Sequence, residues 1–327
     1  MKTKKTKKNK KNKKSITKKN VKLTTQFIPN LSKTQITKLL YPITYQNAID
    51  DYNKLKSIEC DKLLINSTIG SNFVNFFTAI ERLDTKGKRS ISFFDVCKNF
   101  NKYYNEKYYF RNGIDNVFKK TFFKQKNVHK IFRNLKSFYT LYMGNVGIFR
   151  PAIAKYIICK YKPTKILDFT MGWGGRLMAS CIENVDAYIG VDMNTHLKPL
   201  YKKMTNALKT LSNTKIKLFF KDALKVDYSK LDYNFVLTSP PYYNIEIYKK
   251  NEVLTKEQWN ETFYIPLFTE TYKYLKRNGY YCLNVPVYIY ENVCIKLFGK
   301  YNDKIPIGRP KRLNDDLYNE YVYIWKK

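Results

Sequence analysis

The sequence predicts an α/β protein: a Rossmann-like, doubly wound sheet with helices on both faces, preceded by a mostly helical N-terminal region. Three observations predict it. Past Gly147, short apolar runs of strand length alternate with helical segments, the pattern of βα units. Polar residues close those runs on one side: Asp168, Asp192, Asp222, and then the stretch Thr238-Ser239-Pro240-Pro241-Tyr242-Tyr243. Before residue 145 glycines are few, and apolar residues fall at helical spacing, as in Phe73, Phe76, Phe77, Ile80 and Leu83. The expected organisation is a lysine-rich tail over residues 1–20, a helical accessory region over 21–145 and the α/β domain over 146–327.

The tail carries eleven lysines and no acid, and is expected to be disordered. The chain has 61 Lys+Arg against 26 Asp+Glu in 327 residues, a net +35; the tail holds eleven of those charges and leaves +24 on the remainder. The expected partner is therefore a polyanion, nucleic acid before all. An AT-rich coding bias would account for much of the Lys, Asn, Ile and Tyr content, but not for the shortage of acids. In the helical region Lys119, Lys120, Lys124, Lys126, Lys130, Arg133 and Lys136 are interleaved with Phe118, Phe122, Phe123, Ile131, Phe132 and Leu135, which predicts a helix with one apolar and one basic face. Such a helix suits contact with nucleic acid, and equally the ordinary surface of a lysine-rich protein.

The six cysteines are scattered without a C-x-x-C pair, and His129 and His196 are the only imidazoles. Neither a disulfide framework nor a metal site is expected, and a reducing, intracellular compartment follows. No apolar run approaches the roughly eighteen residues of a membrane span, and no signal-peptide core follows the basic N-terminus, so a soluble protein with no membrane partner is expected.

Taken in order, Pro151 opens a helix that Ala152 to Tyr161 continue and Pro163 stops. Lys165 to Asp168 reads as a buried strand, and Phe169 to Arg176 as a glycine-rich loop entering the helix Leu177 to Ile182. Its glycines allow close approach to the backbone, although the spacing is not G-x-G-x-x-G. Ala187 to Val191 forms a second strand ending at Asp192, placed to take the hydroxyls of a ribose. Ile216 to Phe220 forms a third, ahead of Asp222, and Asn234 to Leu237 a fourth. Thr255 and Gln258 make a capping box, Gly279 is expected to cap the following helix, Tyr280 to Val285 is a fifth strand, and Glu320 to Trp325 reads as an antiparallel edge strand.

The fourth strand delivers the most distinctive residues. Pro240 and Pro241 fix two successive φ angles and remove two N–H donors, which leaves a stiff edge of carbonyl acceptors. With the Ser239 hydroxyl and the Tyr242 ring beside it, that edge suits a planar guest carrying an NH2 group.

These residues carry a resemblance. Leu167-Asp168 with Gly172-x-Gly174, then Asp192, Asp222 and Thr238 to Tyr242, resemble the class I S-adenosylmethionine-dependent amino-methyltransferases of nucleic acids, the N4-cytosine and N6-adenine group. More narrowly, Phe149-Arg150-Pro151, Gly172 to Arg176 and Thr238 to Tyr248 resemble methyltransferases of large DNA viruses and phages. The resemblance covers about residues 147–327. One departure is Thr170, where such loops carry a Phe two places before the first glycine; here Phe169 stands one place earlier.

The resemblance implies a class I methyltransferase sheet and S-adenosylmethionine as cofactor. Its methionine end would lie over Asp168 and Gly172 to Gly174, beside Thr238, with its ribose on Asp192 and its adenine by Asp222. Ser239, Pro240, Pro241 and Tyr242 would form the catalytic loop, with no metal and no cysteine nucleophile. Replacing Asp168 or Asp192 is then expected to remove the cofactor and leave the fold intact. The implied reaction is methylation of the exocyclic amine of a DNA base, N4 of cytosine ahead of N6 of adenine. The alternatives are an RNA base, a protein glutamine amide, and a non-catalytic nucleic-acid-binding protein on the same fold.

Overall fold

The computed structural model describes residues 30–86, 90–99, 127–142, 146–243, 254–307 and 320–327. The tail, the lysines from Lys119 to Lys126, their aromatic partners Phe118, Phe122 and Phe123, and the end of the motif stretch at Tyr248 lie outside the described residues. Seven strands form one sheet: β1 (Lys165–Asp168), β2 (Ala187–Asp192), β3 (Lys215–Phe220), β4 (Phe235–Thr238), β5 (Tyr280–Pro286), β6 (Asp303–Ile307) and β7 (Glu320–Lys326). Their order is β3-β2-β1-β4-β5-β7-β6, with the first five parallel and β7 antiparallel to both neighbours. This is the Rossmann-like sheet, with helices on both faces, that the sequence predicts. Runs such as Phe235-Val236-Leu237 are buried on both faces, as strands sandwiched between helix layers must be.

Two details of the sheet depart from expectation. Strand β7 is antiparallel as predicted but does not form the edge, because β6, which the sequence reading missed, pairs along its outer side. Pro306 sits in β6, a position tolerated on an edge strand that bonds on one side only. Gly279 is not a helix cap: the preceding helix ends at Lys273, with Tyr274 as its cap. A Cβ on Gly279 would lie 2.5 Å from the Asn234 carbonyl, so glycine is required there by close packing of β5 against the start of β4.

Helices α6 (Pro151–Tyr161), α7 (Gly175–Ile182) and α8 (Lys198–Lys209) cover one face. On the other lie α9 (Lys256–Trp259), a π-helical stretch (Asn260–Tyr264) and α10 (Ile265–Lys273), followed beyond β5 by α11 (Val287–Ile289), a second π stretch (Tyr290–Cys294) and α12 (Ile295–Phe298). Pro151 occupies the first turn of α6, where its missing N–H costs nothing.

The N-terminal region is helical as expected, with α1 (Lys33–Leu40), α2 (Tyr45–Ser57), α3 (Ser71–Asp84), α4 (Phe93–Lys98) and α5 (Val128–Tyr142). Ile36, Phe93, Val96, Phe132, Leu135 and Phe138 give it a small core. Helices α2 and α3 instead share the sheet's core: Tyr52, Leu55, Phe73 and Val74 pack in one cluster with Ile153, Ile157, Met178 and Ile182. The amphipathic reading of α5 holds for Ile131, Phe132 and Leu135, which are buried, and for Lys130 and Arg133, which are exposed. Lys136 departs from it. It is half-buried, and burial, followed by the nearby Arg82 charge, lowers its ammonium pKa to about 8.

Two attachments, one polar and one covalent, fasten the C-terminal end of α2 and the turn after it to α6. The buried Lys155 ammonium donates to the carbonyls of Leu55 (2.8 Å), Lys56 (3.0 Å) and Ile58 (2.6 Å), capping the C-terminus of α2. Beside it Cys60 and Cys159 form a disulfide, 99 residues apart in sequence, where the scattered cysteines gave no expectation of one. The spacing gave no signal because the pairing is set by how α2 lies on α6. Among the described residues, no helix is long and apolar enough to cross a membrane. Cross-linking a loop of about a hundred residues restricts the unfolded chain, so Cys159→Ser is expected to lower stability by about 2–4 kcal/mol. Urea unfolding checks this: the wild type should fall to the variant's midpoint when reductant is added, and the variant should not respond.

Candidate active site

Along the sheet, β1 to β3 run outward in one direction and β4 to β5 in the other, so the order reverses between β1 and β4. The carboxyl ends of these two strands border a crevice, the usual ligand position in an open α/β sheet. The register puts the predicted residues along that edge. Asp168 lies opposite Gly190, so Asp192 stands two residues further out; Asp192 lies opposite Phe220, with Asp222 two beyond; Thr238 lies opposite Leu283, which brings Ser239 level with Asn284.

Asp168 is wholly enclosed. Its carboxylate accepts from Arg176 Nε (2.7 Å) and Nη2 (3.1 Å), from Tyr188 Oη (2.6 Å) and from Thr238 Oγ1 (2.8 Å). Arg176 also donates to the Thr170 carbonyl, and the Thr170 and Thr238 hydroxyls are 2.6 Å apart. Burial alone would lower the Arg176 pKa, but the Asp168 charge and its hydrogen bonds hold it above the usual guanidinium value. The Tyr188 phenol is raised far above its ordinary value, by burial first and Asp168 second, so it serves as a donor. Asp168 and Thr238 thus tie β1, β2, β4 and α7 together. The expectation that Asp168 can be removed with the fold intact is corrected: its loss would strand a buried guanidinium.

The glycine loop is pinned from several sides. Met171 N–H donates to the Val191 carbonyl (2.8 Å), and Gly172 N–H to Asp192 Oδ2 (2.9 Å). Tyr201 Oη donates to the carbonyls of Met171 (3.2 Å) and Gly172 (3.0 Å). Gly172 and Gly174 have φ of +56° and +87°, the left-handed region that favours glycine, and Gly174 is the N-cap of α7. A Cβ on Gly175 would sit 2.1 Å from the Phe149 carbonyl oxygen, and the Phe149 ring lies 5.1 Å from the Arg176 guanidinium. The Phe149-Arg150-Pro151 and Gly172 to Arg176 motifs are therefore one construction. Asp192 Oδ1 accepts from Asn194 N–H (2.8 Å), and Asp222 caps Leu224 N–H (3.1 Å). Phe169 does not replace the aromatic absent at Thr170, because its ring is buried against Phe268 and Tyr281.

On the far side of the crevice, the Ser239 to Tyr243 loop is held by residues that sequence reasoning missed. Tyr264 Oη, in the first π stretch, donates to the Pro241 carbonyl (2.6 Å) and accepts Tyr243 N–H (3.0 Å). Tyr243 has φ +50° and its hydroxyl lies 3.2 Å from Asn260 Oδ1, so the π stretch supports a left-handed residue just past the two prolines. Among the described residues, neither the Ser239 nor the Pro240 carbonyl is taken by a turn or side-chain hydrogen bond. Tyr242 turns its hydroxyl onto Asn284 of β5, while Tyr243 packs edge-on against Tyr264 (5.5 Å) and Tyr288 (5.7 Å), with Lys256 Nζ 4.0 Å over the Tyr288 ring. The signal for Tyr264 was its place one helix after the loop; Asn284 is a lone amide inside an apolar strand and gave none.

The free cysteines Cys97, Cys181, Cys282 and Cys294 are all buried. Burial raises each thiol, that of Cys181 to about 12, so none offers a thiolate at neutral pH.

No protein-family model matches the chain, and no curated protein matches it. Solved structures with similar architecture include TrmN from Thermus thermophilus, at 13% identity and a TM-score of 0.42, covering 55% of this chain and 50% of that one. SMU.776, assigned as a methyltransferase and solved with SAH, is 18% identical with a TM-score of 0.40, covering 56% of this chain and 52% of that one. An rRNA methylase from Streptococcus thermophilus is 13% identical with a TM-score of 0.36, covering 55% and 99%. The chain spans about half the length of the first two. At these identities and scores no residue role or substrate carries over.

Arg176→Met leaves the Asp168 carboxylate buried without its cation, and is expected to cost about 3–5 kcal/mol. Denaturant unfolding measures this; a loss below 1 kcal/mol would show that the pair does not hold the crevice together.

Proposed function

We propose that this chain transfers a methyl group from S-adenosylmethionine to the exocyclic amine of a nucleic-acid base. The observation that carries the reading is the pairing, across the switch-point crevice, of a left-handed glycine loop pinned to Asp192 with the stiff loop Ser239-Pro240-Pro241-Tyr242, the two joined through the Thr170 and Thr238 hydroxyls. The residues present fit the cofactor. Gly172, whose Cβ position is clear to 3.9 Å, and Gly174, packed against Met204, form a backbone turn at the N-terminus of α7; Asp192 lies at the tip of β2 and Asp222 beyond β3, in the order of methionine, ribose and adenine. When bound, the cofactor supplies an electrophilic methyl on a sulfonium.

The protein's own task is to position the acceptor. An exocyclic amine is a poor nucleophile because its lone pair is delocalised into the ring. The Ser239 oxygen and the carbonyls of Ser239 and Pro240 would hold its hydrogens and let the nitrogen pyramidalise. No strong base and no covalent nucleophile are needed, because a nitrogen that has gained a methyl becomes cationic and acidic and would pass its extra proton through the acceptors that hold it to water. Tyr242 or Tyr243 supplies a ring for stacking, worth about 1–3 kcal/mol per base against an unstacking cost of a few kcal/mol.

The substrate we favour is DNA, with N4 of cytosine ahead of N6 of adenine. Ser-Pro-Pro-Tyr goes more with cytosine in the group that the motif resembles, and the basic excess suits a polyanion. The glycine loop and Pro240 are fewer than seventy residues apart, so no large recognition domain lies between them; site recognition would fall to residues 21–145 or be nearly absent, with the catalytic domain over 146–327 and the tail over 1–20 adding non-specific attraction.

Nucleoside mass spectrometry after incubating the purified protein with S-adenosylmethionine and either DNA or RNA tests the reading. N4-methylcytosine in DNA is the expected product. N6-methyladenine or an RNA product would change the substrate, and no product on either would overturn the proposal. Asp192→Ala, which leaves the Asp168–Arg176 pair untouched, is expected to weaken S-adenosylmethionine binding at least tenfold in calorimetry, the equivalent of about 1.4 kcal/mol.

A further inference from the structure

Asn284 lies level with Ser239 on the neighbouring strand and is 2% exposed. Its amide has one orientation that satisfies its neighbours. Nδ2 donates to the Tyr321 carbonyl (3.1 Å), which has no proton to return, so Oδ1 faces the loop. There it accepts from Ser239 Oγ (3.0 Å) and from Tyr242 Oη (2.9 Å). The reversed amide would set Oδ1 against the Tyr321 carbonyl, oxygen against oxygen.

A serine hydroxyl has a single proton. With that proton on Asn284, Ser239 Oγ is left with lone pairs alone, of which one can be met by the Tyr242 hydroxyl 3.3 Å away and the other offered to a guest. Resting on the reading of this loop as the amine-holding edge, we infer that Asn284 is a positioning residue that fixes Ser239 as a hydrogen-bond acceptor. The site then takes a planar guest with an NH2 at that point and rejects one with a carbonyl oxygen there: cytosine over uracil, adenine over hypoxanthine. An oxo guest would meet an oxygen that has no proton to give, and one of the two would stay unsatisfied. Asn284 touches no reacting atom and acts through Ser239.

The test uses the full chain and its Asn284→Ala, Ser239→Ala and doubly substituted variants. Two quantities are read: kcat and KM for methyl transfer, and the binding ratio, with S-adenosylhomocysteine present, for single-stranded oligonucleotides that differ only in cytosine for uracil or adenine for hypoxanthine. Asn284→Ala is expected to lower kcat about tenfold, with the KM for S-adenosylmethionine unchanged, and to narrow the amino-over-oxo ratio by a similar factor. In the Ser239→Ala background the same change should alter neither quantity by more than about twofold, because the two residues act as one unit. Asn284→Asp, which keeps an acceptor facing Ser239, should retain the amino preference. If the alanine variant does not fold, Asn284→Ser replaces it, keeping a polar atom that ends short of Ser239. Fully additive losses in the double variant, or an unchanged ratio in Asn284→Ala, would overturn the inference while leaving methyl transfer standing. A wild type that methylates no amino-bearing base would overturn the reading of the site and this inference with it.

Discussion

The crevice depends on a single buried contact, the bidentate pair of Asp168 with Arg176. Two charges removed from water are costly unless their remaining hydrogen-bonding capacity is met, and here Tyr188, Thr238 and the Thr170 carbonyl meet it. The partners come from β1, β2, β4, the glycine loop and α7, so meeting the pair's demands aligns the elements that border the crevice. Thr238 is the joint between the two halves, since its hydroxyl contacts both Asp168 and Thr170. Any shift of β4 relative to β1 would uncover a charge.

Around that contact the molecule separates rigid work from adaptable work. The glycine loop is held by main-chain bonds to Val191 and Asp192 and by the Tyr201 hydroxyl, whose proton is kept in place because burial, then the charges of Asp192 and Asp168, raise its pKa far above the ordinary value. The Pro-Pro loop is held by side chains from the opposite helix layer, Tyr264 and Asn260, in a π stretch whose extra residue per turn turns both toward the loop. Each wall of the crevice is thus supported from a different face of the sheet.

Much of this was legible in the sequence, and the exceptions have physical causes. Strands β1, β2, β4 and β5 are buried on both faces and read as apolar runs, and the acids that close β1 and β2 stand where parallel register puts them. The short β6, Asp303-Lys304-Ile305-Pro306-Ile307, has one buried edge, a proline and alternating polarity, which hides it among loops. Asp168 was legible as a strand-end acid but not as half of an ion pair, because Arg176 reaches it only after the chain turns through three glycines. Asn284 was not legible: its partner Ser239 is 45 residues earlier, and only the pairing of β4 with β5 brings them level.

The disulfide has a further consequence for how this protein must be handled. Cys60 and Cys159 enclose α3, α4 and α5, along with residues 100–126, in one covalent ring. A protease that cuts the chain once inside that ring produces two fragments that remain one molecule. On a gel without reductant the nicked protein would migrate close to the intact chain, and would still elute as a single species. Only opening the bond would reveal the cut, so preparations that look whole under oxidising conditions give no assurance that the helical region is uncleaved.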